Sequence, residues 1–371
     1  MKETVLICSN YAWTIVNFRL PLIKMLKAEG YRVEVITEFD GCEKNLIGIV
    51  DSIHPLYISR KGINPFADII TFVNILFCIF KVKPKVYMPF TIKPVIYGSF
   101  AARLLKIKTI ATITGLGTVF IKKNWITSLV KKMYLISMKS ATIIFFQNNS
   151  DQNLFLNERL IDRNQAYLIP GSGIDTAHFS ESRPNNDHPD KFIFALIARL
   201  LWDKGIGEYV KAAKKVKKIF PDVTFQLIGA AGSENRTSIS YEEIKAWELS
   251  NTIEYLGEVE DVRPYISKST CIVLPSYREG LSRVLLEASS MAKPIIATNV
   301  PGCREIVDHK ETGFLCKVKD VDDLADKMLM LISLNRNERK LMGLKGREKV
   351  KIEYSVDKVC KLYLQSLLSL N

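Results

Sequence analysis

Residues 274–287 read Leu-Pro-Ser-Tyr-Arg-Glu-Gly-Leu-Ser-Arg-Val-Leu-Leu-Glu. The apolar run Cys271–Leu274 leads into them and predicts a short buried strand. Pro275, Ser276 and Gly280 then interrupt the apolar pattern, and from Ser282 onward apolar residues return at helical spacing, with Ser282 in the N-cap position. This segment therefore predicts a strand, a tight loop and the beginning of a helix.

Two carboxylates lie in this segment, Glu279 on the loop and Glu287 in the second helical turn. The N-terminus of a helix offers unpaired backbone N–H groups and a positive dipole, both of which suit a phosphate group. A carboxylate beside it suits sugar hydroxyls, because it accepts two charge-assisted hydrogen bonds at once. The combination predicts a pocket for a sugar nucleotide.

Composition indicates a globular chain of two domains. Its 371 residues, 47% hydrophobic and 25% charged, suffice for two separate cores. The seven cysteines stand singly, which favours reduced thiols over a disulfide framework or a zinc site. The apolar run after Met1-Lys2-Glu3 is too short for a signal peptide. We expect no transmembrane helix, since the longest apolar stretch, Ile69 to Phe80, has only 12 residues and a span needs roughly 20.

The positive charge is concentrated in one part of the chain. The formal net charge is +13, and no acidic residue lies between Asp68 and Asp151. That window holds 12 basic residues: Lys81, Lys83, Lys85, Lys93, Arg103, Lys106, Lys108, Lys122, Lys123, Lys131, Lys132 and Lys139. A one-sided positive field attracts anionic partners such as lipid headgroups, nucleic acids or pyrophosphates.

Strand and helix patterns alternate along the chain, which predicts an α/β protein with parallel sheets covered by helices on both faces. The first half opens with a strand at Val5 to Cys8, a loop and a helix from about Asn17 to Ala28. A segment rich in Gly, Pro, Ser and Asn, from Pro170 to Pro189, is typical of a domain boundary. We therefore predict an N-terminal domain of residues 1–170, a linker of residues 171–190 and a C-terminal domain of residues 191–354, followed by a final amphipathic helix within residues 355–371.

A basic amphipathic helix is predicted within residues 122–139. Six apolar residues fall on one arc of the helical wheel: Trp125, Ile126, Leu129, Val130, Met133 and Ile136. A basic helix with an interfacial tryptophan can lie on an anionic membrane, and its contact residues would be Lys122, Lys123, Trp125, Lys131 and Lys132. The alternative is that the apolar face packs on the sheet while the lysines are only solvated. The helix pattern alone leaves both open.

Several motifs together resemble the donor site of retaining glycosyltransferases of family four. The two glutamates at positions 279 and 287 are accompanied, in the family's order, by Gly171 to Asp175, Ala198-Arg199-Leu200 with Lys204-Gly205, Met291 to Ala297, and Pro301 to Glu305. The resemblance is dense in the C-terminal half and thin in the N-terminal half. It implies the GT-B fold, in which two Rossmann-like domains with parallel sheets face each other across a cleft. The resemblance also implies that residues 355–371 cross back onto the first domain, as the family's terminal helix does.

The resemblance also implies roles for individual residues. Arg199 and Lys204 match the family's pyrophosphate-binding pair, Glu287 its ribose contact and Glu279 its donor-sugar contact, so Glu279, Arg199 and Lys204 are the catalytic candidates. Further donor-site candidates are Gly229, Leu256, Gly280, Leu281 and Ser282, although Leu281-Ser282 replaces the usual Phe-Gly of the family. The alternative is that Arg199 and Lys204 only cap a helix and Glu287 only stabilises a helix dipole.

For the acceptor side of the N-terminal domain, the candidates are Asn10, Arg19, Gly115 and Gly117. Many family members carry a His-Gly pair where this chain has Thr114-Gly115, so no catalytic histidine can be assigned. The acidic pair in Asp320-Val321-Asp322 precedes an apolar-periodic helix, and we interpret it as an N-cap and not as a metal site. We expect no metal and no cofactor.

These observations predict a metal-independent retaining transfer of a hexose from a UDP-sugar to a lipid-linked sugar. The motifs look closest to bacterial enzymes that add N-acetylgalactosamine α1,3 to an undecaprenyl-diphosphate sugar. Such an enzyme would be cytoplasmic and bound peripherally to the anionic inner face of the cell membrane. Two alternatives stay open: an enzyme resembling UDP-N-acetylglucosamine 2-epimerase, and a basic protein that binds nucleic acid or membranes.

Overall fold

The computed structural model describes residues 2–59, 64–116, 120, 125–181, 191–232 and 237–370. The chain forms two compact units. Unit 1 comprises Met1–Gly173 together with Val356–Asn371, and unit 2 comprises Ile174–Ser355. The chain thus passes from one unit to the other between Gly173 and Ile174 and again between Ser355 and Val356.

Unit 1 is built on a parallel sheet of seven strands in the order β3-β2-β1-β4-β5-β6-β7. The strands are β1 Thr4–Tyr11, β2 Arg32–Glu38, β3 Ser52–Pro55, β4 Val86–Pro89, β5 Lys108–Ile113, β6 Ile143–Phe146 and β7 Ala166–Leu168. The helices between them are α1 Ala12–Phe18, α2 Leu20–Ala28, α3 Pro65–Val82, α4 Ser99–Leu104, α5 Trp125–Met138 and α6 Asn149–Asn157.

The strands of unit 1 alternate their side chains between two helical layers. On one face, Val5 and Ile7 of β1 belong to a buried cluster with residues of α1 and α2. On the opposite face, Leu6 and Cys8 pack with residues of α3 and α4, and Ile144 and Phe146 of β6 pack with residues of α5 and α6. Helices α3 to α6 therefore cover the same face of the sheet, since side chains alternate along a strand.

The beginning of unit 1 differs from its predicted form. The predicted loop after β1 is absent, because β1 continues to Tyr11 and α1 begins at Ala12. The single helix predicted from Asn17 is wrong, because the chain breaks at Arg19, whose φ is −123°, before α2 begins. Pro21 lies in the first turn of α2, where its missing N–H has no intrahelical acceptor to lose.

Helix α3 is longer than its 12-residue apolar stretch, because it spans 18 residues. Among the described parts of the chain, it is the one helix whose length and apolar composition would suffice to cross a membrane. The expectation that no helix crosses the membrane stays a prediction, although the apolar stretch underestimated the length of this helix. Its buried face, which includes Thr71, Ile75 and Ile79, nevertheless packs on the sheet of unit 1.

Unit 2 repeats the same strand order, β10-β9-β8-β11-β12-β13, again with parallel pairing. Its strands are β8 Ile193–Ile197, β9 Thr224–Ile228, β10 Glu254–Tyr255, β11 Cys271–Leu274, β12 Ile295–Thr298 and β13 Gly313–Cys316. Its helices are α7 Ile206–Lys217, α8 Tyr241–Leu249, α9 Arg263–Lys268, α10 Arg283–Ser290, α11 Val321–Ser333 and α12 Arg336–Glu353. The last helix, α13 Val356–Leu368, packs in the core of unit 1.

Both sheets have the order of a Rossmann fold, in which ligands bind where the strand order reverses, at the carboxyl ends of the strands. In unit 2 this switch point lies between β8 and β11, which are paired neighbours. The loops that follow these two strands contain Arg199, Lys204 and Glu279. The predicted pair of Rossmann-like parallel-sheet domains is therefore confirmed.

Candidate active site

Three loops at the carboxyl edge of the unit 2 sheet are tied together by backbone hydrogen bonds. The N–H of Tyr277 donates to the carbonyl of Asp203 at 2.9 Å, which joins the loop after β11 to the loop after β8. The N–H of Glu279 donates to Pro301 at 3.1 Å, which joins the loop after β11 to the loop after β12. The loop that carries Glu279 is thus held from both sides by main-chain contacts.

Two glycines make this close approach possible. Gly205 has a φ of +73°, and a Cβ added there would lie 2.0 Å from the carbonyl oxygen of Pro275. Gly302 has a φ of +82°, and a Cβ added there would lie 2.6 Å from the backbone of Glu279. Both positions combine a left-handed backbone with a contact that leaves no room for a side chain.

Lys204 and Glu279 meet between these loops. The Lys204 Nζ lies 2.5 Å from Glu279 Oε1, and the two side chains are 20% and 14% exposed. An ammonium group carries three N–H donors, so the ion pair leaves donors of Lys204 that can bind an anion. The pair thus places an ammonium group and a carboxylate side by side at the switch point.

Glu287 forms a second ion pair in the first turns of α10. Its Oε1 accepts a hydrogen bond from Arg283 Nε at 2.9 Å. Burial raises the pKa of the Glu287 carboxyl, and the Arg283 guanidinium opposes that rise. Sequence reasoning did not identify Arg283, although its spacing of four residues from Glu287 places both side chains on one helix face.

Arg199 follows β8 and its side chain is exposed. Its side chain makes no hydrogen bond or ion pair with the described parts of the chain. Among Arg199, Lys204, Glu279 and Glu287, the structure therefore shows one direct contact, between Lys204 and Glu279. The location of Arg199 after the same strand as Lys204 follows from the fold. Its role stays a prediction.

The other predicted donor-site residues lie on the same edge of the sheet. Gly229 has a φ of +142°, and its carbonyl accepts a hydrogen bond from the Tyr255 hydroxyl at 3.0 Å. Leu256, Gly280 and Leu281 are partly buried. Ser282 is the N-cap residue of α10, as predicted, but its side chain makes no capping bond. Its N–H donates to Gly302 at 2.9 Å and is therefore not available to a phosphate.

Tyr277 is a site-loop residue that the sequence did not reveal. Its hydroxyl donates to Glu208 Oε1 at 2.7 Å, and the Lys319 Nζ lies 4.6 Å from its ring centroid. Burial raises the pKa of the Tyr277 hydroxyl, so it stays a neutral donor at ordinary pH. The contact fastens the loop after β11 to α7.

The predicted acceptor-side residues lie in unit 1. The N–H of Asn10, at the end of β1, donates to Thr91 Oγ1 at 3.2 Å, while Asn10 Oδ1 is buried without a hydrogen-bond partner among the described residues. Arg19 is buried, and its guanidinium lies 4.0 Å from the ring centroid of Phe90. Gly115 follows β5 with a φ of +127°, and Gly117 lies outside the described residues.

The predicted membrane residues are only partly described. Lys122 and Lys123 lie outside the described residues. Trp125, at the beginning of α5, is 71% exposed. Lys131 pairs with Glu158 at 2.6 Å, whereas Lys132 is exposed. The face of α5 that packs inward centres on Thr127, Tyr134 and Met138, so the predicted apolar arc is only half covered.

The Asp320 carboxylate accepts a hydrogen bond from the N–H of Asp323 at 2.9 Å and caps α11. The N-cap interpretation of this acidic segment is therefore confirmed. Within the described ranges, no group of three or more His, Cys, Asp or Glu side chains is placed to hold a metal ion.

Comparison with protein families identifies both halves of the chain. Residues 178–349 match the model described as glycosyl transferases group 1, and residues 4–148 match the model described as glycosyl transferase 4-like. The chain is a glycosyltransferase. The first match contains all four main candidate residues of the switch point, and the expected hexosyltransferase activity is confirmed by these matches and by the named relatives below.

Two curated relatives match this glycosyltransferase over nearly its whole length. One is the N,N'-diacetylbacillosaminyl-diphospho-undecaprenol alpha-1,3-N-acetylgalactosaminyltransferase of Campylobacter jejuni, which is 28% identical and matches over 96% of each chain. Another is the UDP-Gal:alpha-D-GlcNAc-diphosphoundecaprenol alpha-1,3-galactosyltransferase of Escherichia coli, which is 24% identical over 93% of this chain and 92% of its own. Among solved structures, a glycosyltransferase from Rickettsia africae is similar in fold, with a TM-score of 0.78, 21% identity and coverage of 100% of this chain and 98% of its own.

Proposed function

We propose that this glycosyltransferase moves a hexose or N-acetylhexosamine from a UDP-sugar to a sugar carried on undecaprenyl diphosphate, with retention of configuration and without a metal ion. The observation that carries the proposal is the Lys204–Glu279 pair at the switch point of unit 2. Lys204 binds the diphosphate and Glu279 binds the sugar, so the pair contacts the groups on both sides of the bond that breaks.

The proposed chemistry places negative charge on the departing diphosphate. The bond between the anomeric carbon and the UDP oxygen breaks, and the acceptor oxygen forms its bond to that carbon on the same face. The acceptor proton passes to the leaving phosphate. Lys204, with Arg199 from the same loop, stabilises that phosphate, a contribution typically worth several kcal/mol. Because the two cations neutralise the diphosphate, no metal ion is required.

The engagement of both glutamates supports attack by the acceptor on the face that the diphosphate leaves. Glu279 is paired with Lys204, and Glu287 is paired with Arg283. In the proposed reaction both carboxylates bind hydroxyl groups of the donor, and Glu279 stabilises positive charge on the transferred sugar without forming a covalent bond to it. We assign the ribose to Glu287 and the transferred sugar to Glu279.

The acceptor class rests on the named relatives. The Campylobacter jejuni and Escherichia coli proteins are both named for acceptors on diphosphoundecaprenol, and the second is also named for a UDP-galactose donor. An acceptor with a long polyprenyl chain stays in the membrane, so the enzyme would work at the cytoplasmic face of the cell membrane in the assembly of a surface polysaccharide. The Oδ1 of Asn10, at the carboxyl edge of the unit 1 sheet, is buried and has no hydrogen-bond partner in the described part of the chain, which makes it a candidate contact for an acceptor hydroxyl.

The test is turnover of the Lys204→Ala variant with a panel of UDP-sugars and a short polyprenyl-diphosphate-linked acceptor. We expect kcat to fall by about 10² or more, as for the loss of other preorganised donors. The matched control is Lys211→Ala, which removes an exposed lysine from α7 of the same unit and should leave kcat unchanged.

Near wild-type kcat in Lys204→Ala would overturn the assigned role. The anomeric configuration of the product, read by NMR, tests retention separately, since an α-linked donor must yield an α-linked product. Interconversion of free UDP-sugars without an acceptor would instead favour the epimerase alternative.

A further inference from the structure

Helix α3 presents a continuous apolar face to solvent. Six of its residues, which we call the α3 stripe, are between 53% and 80% exposed: Phe66, Ile69, Ile70, Val73, Phe77 and Phe80. They recur at helical spacing and therefore lie on one side of the helix. At about 1.5 Å per residue, the stripe extends roughly 21 Å along the helix from Phe66 to Phe80. A monomeric soluble protein rarely leaves so long an apolar strip uncovered without a binding function.

The opposite side of α3 is fastened to the sheet of unit 1. Thr71, Ile75 and Ile79 are fully buried, and Thr71 Oγ1 donates to the carbonyl of Tyr57 at 2.8 Å. Near the N-terminus of the helix, Asp68 is buried in an ion pair with Lys93 at 2.7 Å. A helix anchored along one side by these contacts can lie on a membrane but cannot cross it while unit 1 stays folded.

The stripe belongs to a layer of helices that all cover the same face of the sheet. Phe72 of α3 packs against Phe100 of α4, with ring centroids 5.6 Å apart, and Arg103 of α4 donates to the carbonyl of Ile136 in α5 at 3.0 Å. The outward side of α5 adds exposed apolar residues of its own, Trp125, Leu129 and Ile136. The apolar surface thus extends across the layer.

The charge of this layer is positive. Between Asp68 and Asp151 the sequence has no carboxylate, and the carboxylate of Asp68 is already paired with Lys93. Lys81, Lys106, Lys132 and Lys139 are exposed on or next to the three helices, and none of the described residues forms a recorded ion pair with them. Exposed phenylalanines beside unpaired lysines complement the two parts of an anionic bilayer surface, the acyl boundary and the headgroups.

We propose that the α3 stripe is a membrane-docking surface, which inserts its phenylalanines at the boundary of an anionic phospholipid bilayer while the neighbouring lysines contact the headgroups. The stripe itself contains no Trp, Tyr or Arg, the residue types that dominate protein–protein hot spots. This composition and the charge of the layer favour a bilayer over a protein partner. The docking surface deepens the proposed function and rests on it in one respect, since an acceptor on a polyprenyl chain lies in the bilayer that this surface would bind.

The test is sedimentation of the full chain with phosphatidylcholine vesicles, prepared with and without phosphatidylglycerol. We expect the wild-type protein to bind the anionic vesicles. The Phe77→Ser/Phe80→Ser variant should bind them at least about tenfold more weakly, because it lacks two aromatic side chains that the bilayer would bury. Lys81→Ala should weaken binding only to the anionic vesicles, and added salt should remove that difference. The control is Leu249→Ser, which removes an 80% exposed leucine from unit 2 and should bind as the wild type does.

A second readout separates docking from catalysis and from folding. The Phe77→Ser/Phe80→Ser variant should lose transfer to an acceptor embedded in vesicles and keep transfer to a short, water-soluble acceptor. Wild-type vesicle binding by this variant would overturn the proposal. So would a dimer that forms without lipid and that the double substitution dissociates, because the stripe would then be an interface between two copies of the chain. Loss of both transfer activities in equal proportion would also contradict a docking role.

Discussion

At the scale of single residues, the position of Glu279 depends on Gly302, a glycine in the neighbouring loop. Gly302 lies in a left-handed backbone conformation, and the main chain of Glu279 fills the space that a side chain would need. The N–H of Gly302 donates to Glu305 Oε2 at 2.7 Å, which holds this turn from its other side. Gly302 is therefore a positioning residue for the Lys204–Glu279 pair.

We predict that Gly302→Ala lowers kcat/KM by about 10² or more, because a displacement of roughly 1 Å at a catalytic group can have an effect of that size. The new Cβ would lie 2.6 Å from the Glu279 backbone, so the loop after β11 must move. Steady-state kinetics with a UDP-sugar and a short lipid-linked acceptor measure the effect.

The matched control is Gly30→Ala, where φ is also positive, at +87°, but no atom lies within 4 Å of the added Cβ. It carries a similar backbone strain of order 1 kcal/mol without the contact, and should leave kcat/KM unchanged. Equal kinetic losses in the two variants would show that strain, and not the Glu279 contact, is responsible.

The sequence predicted the local structure around the candidate residues better than their contacts. Glu279 stood out because a strand, a loop and a helix start surround it, and this local order was confirmed. Lys204 was assigned by the family resemblance. The direct contact of these two residues joins positions 75 residues apart, and local periodicity carries no information about such a pair. The pairing of Ser282 N–H with Gly302 was missed for the same reason, since its acceptor belongs to another loop.

At the scale of single elements, α3 and α5 show what an apolar pattern leaves undetermined. Both have more apolar residues than one buried face requires, so the wheel alone cannot say which of them pack inward. Packing against the sheet determines which side of α3 is buried: Thr71 is buried and Phe77 is exposed. The same holds in α5, where Thr127 is buried and Trp125 is exposed. A polar residue takes the inward position in each helix, which hydrophobicity alone would not predict.

The last helix is essential to the core of unit 1. Tyr363 of α13 is fully buried, and its ring lies 5.1 Å from Phe145 and 6.0 Å from Phe90, measured between centroids. Its hydroxyl and Thr112 Oγ1 are 2.8 Å apart in a hydrogen bond. The helix thus replaces core that residues 1–173 do not supply.

We predict that Tyr363→Ala destabilises unit 1 by about 3–5 kcal/mol, the range for large aromatic truncations, and that Tyr363→Phe costs about 1 kcal/mol because only the hydrogen bond is lost. Urea unfolding followed by circular dichroism measures both. Leu368→Ala, at a half-exposed position of the same helix, is the control and should change the free energy of unfolding little. A Tyr363→Ala protein as stable as this control would contradict the role of α13 in the core.

At the scale of the whole molecule, the two units share one strand order but differ in how the chain builds them. The repeated alternation of strands and helices made the doubly wound fold predictable, because it admits few other topologies. The edge strand β3, with four residues, was not predicted: so short an element carries too little periodic signal. Unit 2 is one continuous segment, whereas unit 1 needs two.

This difference predicts that residues 174–355 fold when expressed alone. The segment contains its own two buried clusters, and its ends are joined, since the N–H of Ile174 donates to Tyr354 at 2.8 Å and Ile174 bridges to Ser355. All of the predicted donor-site residues lie within it. We expect the fragment to unfold cooperatively in urea and to bind UDP within about tenfold of the affinity of the full chain, a difference of roughly 1.4 kcal/mol.

Residues 1–173 alone provide the contrasting case. They lack α13, so a core that includes Phe90 and Phe145 would lose the ring of Tyr363, and we expect this fragment to aggregate or to unfold without a cooperative transition. Urea unfolding of the two fragments tests whether each one folds, and calorimetry tests whether residues 174–355 bind UDP. A cooperative fragment 174–355 that does not bind UDP would mean that the donor site needs residues of unit 1. A fragment 174–355 that does not fold would show that the clusters of unit 2 are insufficient by themselves.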